Sequence, residues 1–271
     1  MEGFEVTKIG KHIFCILDAG NSSFYMVEGD KKAAVIDTGI TTGKKIMPLL
    51  RELTDKPLLL VATHVHWDHI YHMDEFEEVY MCHDEKKIDE TTLRTLTAGR
   101  LKPWDEIHDI HTDSVISLGG TELRICQVPG HTPGSIVILE TRENYLFTGD
   151  AIGSGCGVWM QIPGSTDLKT YYDSLIHLMH WLVDNGGRMK FFGGHHMQAF
   201  ESVSSFTEIG NTVFDVPSEK TTISYRQRGN YMKETIYTIP LNDAFHAEDE
   251  CPFCRLERDA EQHALEFILG K

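Results

Sequence analysis

The sequence predicts an α/β domain, and three observations carry that expectation. Short apolar runs end abruptly at small or turn residues in five places. Between them lie stretches with helical spacing of apolar positions, the longest from Asp167 to Asp184. The chain has 271 residues, 41% of them hydrophobic, which suits one full domain with a sizeable core and a modest appendage.

In chain order, two strands are expected near Ile13 to Asp18 and Ser23 to Glu28. A third, Ala33-Ala34-Val35-Ile36, runs into Asp37-Thr38-Gly39. Thr41 to Leu53 reads as the first helix. The apolar run Leu58-Leu59-Leu60-Val61-Ala62 is a strand that ends at Thr63-His64-Val65-His66-Trp67-Asp68-His69, and Ile70 to Phe76 is amphipathic. Asp84 to Ala98 reads as another helix. Leu123 to Val128 is a strand stopped by Pro129-Gly130, with His131 behind it; Asn144 to Thr148 is stopped by Gly149, with Asp150 behind it. In the long helix the apolar positions Leu168, Tyr171, Tyr172, Leu175, Leu178, Met179 and Leu182 form a core-facing stripe. Met189 to Phe192 then leads through Gly193-Gly194 to His195-His196. Residues 200 to 250 mix helix and strand signals and receive no assignment.

The chemistry is concentrated in residues 64 to 69, where four metal-ligand side chains fall within six residues. His64 and His66 are two apart, so in extended chain their rings project to one side and can share an ion. Asp68 and His69 open the next stretch and can hold a second ion nearby. Imidazole with carboxylate suits zinc or iron, whereas magnesium or calcium would want oxygen alone. At each of the five junctions an apolar strand delivers a His or Asp. Ligands at equivalent strand ends can converge on one rim of a sheet, where backbone is free and water can enter.

HxHxDH, then His in Pro-Gly-His-Thr-Pro-Gly-Ser, then Gly-Asp, then Gly-Gly-His resembles the pattern of the metallo-β-lactamase superfamily, over about residues 5 to 200. The resemblance implies an αββα four-layer sandwich with two mixed β-sheets and a binuclear site on one rim. It implies that His64, His66 and His131 hold the first metal, that Asp68, His69 and His195 hold the second, and that Asp150 bridges them. His196 is left beside the metals or facing substrate, and Asp37 is expected to accept hydrogen bonds near the metal loop. His12, His72, His83, His108, His111, His177 and His180 have no such context and read as ordinary surface or core residues.

By the same resemblance, two Zn2+ ions, with iron or manganese as alternatives, would lower the pKa of a bridging water for attack on an electrophilic carbonyl or phosphorus. Asp68 would be the catalytic residue, orienting the nucleophile and shuttling its proton. Asp150 argues against β-lactamases proper, which place Cys or no bridging ligand there. His66 argues against oxygen-reducing di-iron relatives, which carry Glu. A hydrolase of a small ester, thioester or lactone is the expectation, with a phosphodiesterase or a mononuclear iron persulfide dioxygenase as the alternatives. The tyrosine that lactonases commonly carry after the bridging aspartate is absent from Ala151-Ile152-Gly153; Tyr25, Tyr71 and Tyr225 are the substitutes to consider. The pocket is expected to draw on Trp159 and Met160, just past Asp150, and on Trp104 in an irregular lid over Thr97 to His111.

A net charge of −16 repels polyanions, so nucleic acid is not an expected partner and a small-molecule substrate is. No run approaches the ~20 apolar residues of a membrane span, and Met1 to Glu5 does not read as a signal peptide. Cysteines mostly isolated in apolar or loop stretches suit a reducing cytoplasm. The domain is expected over 1–245 and a tail over 246–271. In that tail Cys251 and Cys254 form half a zinc knuckle or a redox pair, with a helical stretch after them that can dock on the domain or on a second subunit of a homodimer.

Overall fold

The computed structural model describes residues 3–19, 22–40, 43–152, 158–160, 162–186 and 189–195, together with the backbone of two strands at 222–228 and 234–240. Strands β1 (Phe4–Lys8), β2 (Ile13–Asp18), β3 (Ser23–Glu28), β4 (Ala33–Ile36), β5 (Leu58–Val61), β6 (Glu78–Met81) and β7 (His108–Asp109) lie side by side in that order. The first four pair antiparallel and the rest parallel. A second sheet has the order β12 (Lys190–Gly193), β11 (Tyr145–Gly149), β10 (Ile136–Glu140), β9 (Glu122–Gln127), β8 (Val115–Ser117). It is antiparallel except for the β11–β12 pair. β13 (Thr222–Arg228) and β14 (Glu234–Pro240) pair with each other.

Strand alternation explains how the sheets stack. In β3, Tyr25 and Val27 point to one face, and Phe24 and Met26 to the other. The first pair joins Ile36, Leu59, Val61, Ile125, Ile138 and Phe147 in a core between the two sheets. The second pair joins Val35, Leu60 and Val79 in a core under α1 (Met47–Leu53), which contributes Leu49 and Leu50. On the far side, α4 (Leu168–Asp184) sets Tyr171, Leu175, Leu178, Met179 and Leu182 against Cys126, Val137, Leu139 and Leu146 of the second sheet. The layers are therefore helix, sheet, sheet, helix. β4 and β5 read as unbroken apolar runs because both of their faces are buried.

Two predicted helices are shorter in the structure. The first begins at Met47; Gly43 has a left-handed φ of 77°, and Pro48 sits in the first turn. The Glu75 carboxylate accepts from the Ile46 and Met47 amides at 3.1 and 3.0 Å, capping the helix from outside. The stretch from 84 to 98 divides into a 3-10 turn, His83–Lys87, and α3 (Glu90–Leu96), because Asp89 caps the latter by accepting from the Thr92 amide at 3.0 Å. The 97–111 segment holds a 3-10 turn, Trp104–Glu106, and ends as edge strand β7. The long helix starts as expected, with Asp167 as its cap. Among the described residues, no helix is long and apolar enough to cross a membrane.

The loop between β9 and β10 carries His131 and is pressed against α4. A Cβ on Gly130 would lie 2.1 Å from Cδ2 of Tyr171, whose hydroxyl donates to the Ala151 carbonyl at 2.8 Å. Gly130→Ala must displace that ring, so it is expected to lower unfolding stability by about 1–3 kcal/mol in urea titrations.

Candidate metal centre

All the ligand-type residues lie where strands end on one rim. His64 and His66 follow β5, Asp68 and His69 sit in α2 (Trp67–Ile70), His131 follows β9, Asp150 follows β11 and His195 follows β12. Two glycines permit the approach. A Cβ on Gly149 would meet Thr63 Oγ1 at 2.3 Å, and one on Gly194 would meet His69 Cε1 at 2.6 Å and Asp150 Oδ1 at 2.7 Å.

The ring orientations are set from outside the cluster. Asp37 is buried, and its carboxylate accepts from the Thr63 amide at 2.7 Å, the Thr63 hydroxyl at 2.8 Å and His69 Nδ1 at 2.8 Å. The Thr63 oxygen, its proton committed to Asp37, faces His64 Nδ1 at 3.1 Å. His131 Nδ1 faces the Trp159 carbonyl at 2.8 Å. In each case the outer nitrogen meets an acceptor, which assigns the proton to Nδ1 and turns an Nε2 lone pair inward. Thr38 fixes the backbone beside them: its hydroxyl donates to the His69 carbonyl at 3.1 Å and accepts from the His72 amide at 3.1 Å.

Inside the rim three groups of potential ligand atoms converge: His64, His66 and His131; His64, His69 and Asp150; and Asp68, His69 and His195. Within each group the atoms lie within 4.8 Å of one another. His66 Nδ1 is 2.9 Å from His131 Nε2, and Asp150 Oδ2 is 3.6 Å from His131 Nε2 and 3.2 Å from His195 Nε2. Asp68 Oδ2 lies 3.3 Å from His195 Nε2 and 3.6 Å from His69 Nε2. Ligands of one tetrahedral zinc, bonded at 2.0–2.1 Å, stand about 3.3 Å apart, so these spacings bracket a metal shell. His64 Nε2 and Asp150 Oδ1 are buried without a hydrogen-bond partner. A buried lone pair costs free energy unless something binds it. The donor set therefore fits divalent metal.

Electrostatics divide the cluster. Burial, reinforced by neighbouring imidazoles, pushes His64 well below the ordinary imidazole range and His66 down to about 3. Burial lowers His131 as well. Burial also opposes the charged form of His69 and His195, but nearby carboxylates outweigh it. Asp68, Asp37 and Asp150 raise His69 to about 9, and Asp150 with Asp68 raises His195 to about 11. Burial would raise the two aspartates, yet His69 and His195 hold Asp68 down at about 2, and the same two residues hold Asp150 well below its usual range. The carboxylates stay ionised, and the triad of His64, His66 and His131 stays neutral, the form that ligates.

Of the expected pocket residues, Trp159 stands at the rim, 66% exposed beyond the carbonyl that holds His131. Met160 points the other way, into the core under α4, because extended chain alternates its side chains. Trp104 packs on the outer core of the first sheet, 5.2 Å edge-on to His83, with Lys86 Nζ 5.0 Å over its ring. His196, Cys251 and Cys254 lie outside the described residues. Tyr25 is buried and donates to the Gly193 carbonyl at 2.5 Å, while the Tyr71 hydroxyl accepts from Arg100 at 3.0 Å. Sequence reasoning gave no role to Trp67, 41% exposed between two ligand-type residues, nor to Glu85, buried beneath both ligand loops. The position of Trp67 inside the motif was the available signal; Glu85 offered none.

A family model described as the metallo-beta-lactamase superfamily matches residues 17–180, and one for a family of unknown function (DUF6062) matches residues 232–271. The chain is 28% identical to the acyl-coenzyme A thioesterase MBLAC2 of Homo sapiens over 234 residues, covering 72% of this chain and 82% of that protein. It is 31% identical to the probable metallo-hydrolase YqgX of Bacillus subtilis over 179 residues, covering 60% and 82%. Among solved structures, a metallo-beta-lactamase from Hirschia baltica aligns with a TM-score of 0.54 at 18% identity, covering 72% and 91%. One from Pontibacter korlensis aligns at 0.53 and 19%, covering 77% and 100%. These two show the fold alone.

Asp37→Asn would set an amide nitrogen against Thr63 or His69. It is expected to weaken metal binding about 10–100-fold, read by competition with a chromophoric chelator.

Proposed function

We propose that this chain, which belongs to the metallo-β-lactamase superfamily, holds two divalent ions on its rim and hydrolyses small acyl thioesters, coenzyme A esters in the first instance. That it is a metal-dependent hydrolase follows from the family and from relatives named as hydrolases. The single observation that carries the binuclear reading is that two convergent groups, His64 with His66 and His131, and Asp68 with His69 and His195, have no residue in common. The third group takes one histidine from each, His64 and His69, together with Asp150, so the two positions adjoin.

We assign His64, His66 and His131 to one ion, Asp68, His69 and His195 to the other, and Asp150 to both. Bound there, zinc supplies the Lewis acidity that lowers the pKa of a water and polarises a carbonyl. The chain's own residues do the rest. Asp68, held ionised beside His195 and His69, accepts the proton of the attacking water at its carboxylate. Trp67 and Trp159 stand exposed within one residue of ligand positions or bonded to them through the backbone, and wall the mouth with apolar surface for an acyl chain. Arg100, its guanidinium 4.2 Å over the ring of Tyr71, which lies two residues after His69 in the sequence, is a cation suited to an anionic substrate tail. The free, buried thiols of Cys15, Cys82 and Cys126 support a reducing compartment.

The name of the human relative supports the thioester class; the site chemistry alone would serve esters and lactones equally. Zinc-reconstituted protein is expected to hydrolyse acyl-coenzyme A in a thiol-release assay and to lose that activity on chelation. Asp68→Asn is expected to cost about 10²–10⁴ in rate, with metal content measured beside it. Cleavage of a phosphodiester with silence on thioesters, esters and lactones would overturn the reading. Oxygen uptake on a persulfide with one iron per chain would overturn it too.

A further inference from the structure

Glu85 lies outside the ligand set, yet it is 0% exposed and sits between the two loops that carry the histidine triad. It belongs to the 3-10 turn that follows β6, in the first sheet. Its Oε1 accepts from the Val65 amide at 3.0 Å, and Val65 is the residue between His64 and His66. The same oxygen accepts from the Thr132 hydroxyl at 2.7 Å, and Thr132 follows His131 in the second sheet's β9–β10 loop. Gly134 closes the contact: a Cβ there would lie 2.5 Å from Glu85 Cγ. Oε2 has no hydrogen-bond partner. One carboxylate oxygen thus joins loops from opposite sheets, each within one residue of a ligand.

We infer that Glu85 is a positioning residue for the metal held by His64, His66 and His131, setting the separation of the two loops by a bifurcated acceptance from Val65 and Thr132. The inference rests on the metal reading of that triad. The geometry gives its content. Fixing the Val65 amide holds the bend over residues 63–65, where the His64 and His66 rings meet edge-on with centroids 4.6 Å apart. Fixing Thr132 brings His131 Nε2 to 2.9 Å from His66 Nδ1. At that distance the neutral His66 ring donates its Nδ1 proton to His131 Nε2, and an ion that displaces this proton finds both nitrogens already in place. A buried carboxyl without a cationic partner is costly, and its pKa is pushed up to about 7 by burial. A neutral acceptor that keeps the Oε1 position would serve the clamp equally, since Val65 and Thr132 both donate to that oxygen.

The test is zinc titration against a chromophoric chelator, with the visible spectrum of the cobalt form and the melting temperature of the metal-free protein recorded alongside. Glu85→Ala is expected to weaken binding at the site of His64, His66 and His131 about 10–100-fold and to shift the cobalt bands. Glu85→Gln, which keeps the accepting oxygen, is expected to stay within a few-fold of wild type. Thr132→Val removes one donor and is expected to fall between them, and it serves if Glu85→Ala does not fold. Folded Glu85→Ala or Thr132→Val protein with wild-type affinity and spectrum would overturn the inference. So would a Glu85→Gln protein as weak as Glu85→Ala, since charge rather than the shared oxygen would then be what matters. If His131→Ala binds metal as wild type does, the metal reading itself falls, and this inference with it.

Discussion

The buried carboxylate of Asp37 is the constraint on which the rim depends. It ends β4 with a left-handed φ of 61°, a conformation an aspartate tolerates better than most residues. From there it takes three donors: two on Thr63 and one on His69. Through Thr63 it also sets His64, because a hydroxyl that has given its proton to a carboxylate can only accept from the ring beside it. One side chain at the end of one strand therefore fixes the tautomer of two histidines in different triads. The backbone cost at Asp37 is offset by three buried hydrogen bonds, each to a charged group.

The two sheets meet through polar contacts at both ends. On the rim, the Ile136 amide donates to the Thr63 carbonyl at 3.0 Å, and Glu85 spans the same gap. At the opposite end, just before β2, His12 Nε2 lies 3.1 Å from the buried Glu140 that closes β10, and Glu140 also takes the Arg142 amide at 2.8 Å. Between these ties the interface is apolar, from Ile13 to Phe147. Apolar packing is non-directional and would allow the sheets to slide. The directional bonds at the two ends fix their register, and register is what brings His131 onto the His64–His66 loop.

The placement of the ligand-type residues on one rim was legible in the sequence because most follow a strand end marked by Gly, Pro or Thr, and Asp68 and His69 follow in the short helix behind one of them. The four layers were legible through the resemblance, and β4 and β5 through their unbroken apolar character. What escaped depends on contacts distant in sequence. Glu85, in the run His83-Asp84-Glu85-Lys86-Lys87, looks like part of a solvated helix, and loops distant in sequence, at Val65 and Thr132, bury it. The first helix starts late because Glu75, 28 positions away, caps Met47. Met160 looked like a partner of Trp159, but neighbours in extended chain face opposite ways, and only one of the two could reach the mouth.

The metal-free rim is the costly part of this fold. His64 Nε2 and Asp150 Oδ1 are buried without a hydrogen bond, and the His64 ring is held from outside by Thr63. Each such group costs roughly 1–3 kcal/mol where water does not reach it. The cores on either side of the sheets supply the free energy that keeps the arrangement in place, and the arrangement gains nothing for the chain alone. A divalent ion recovers the cost at several atoms at once, so its binding energy adds directly to folding energy. Preorganisation has the same origin: because Asp37, Thr63 and the Trp159 carbonyl fix the lone pairs in advance, little entropy is left to lose when metal arrives. Stability without metal and affinity for metal are therefore opposed in this rim.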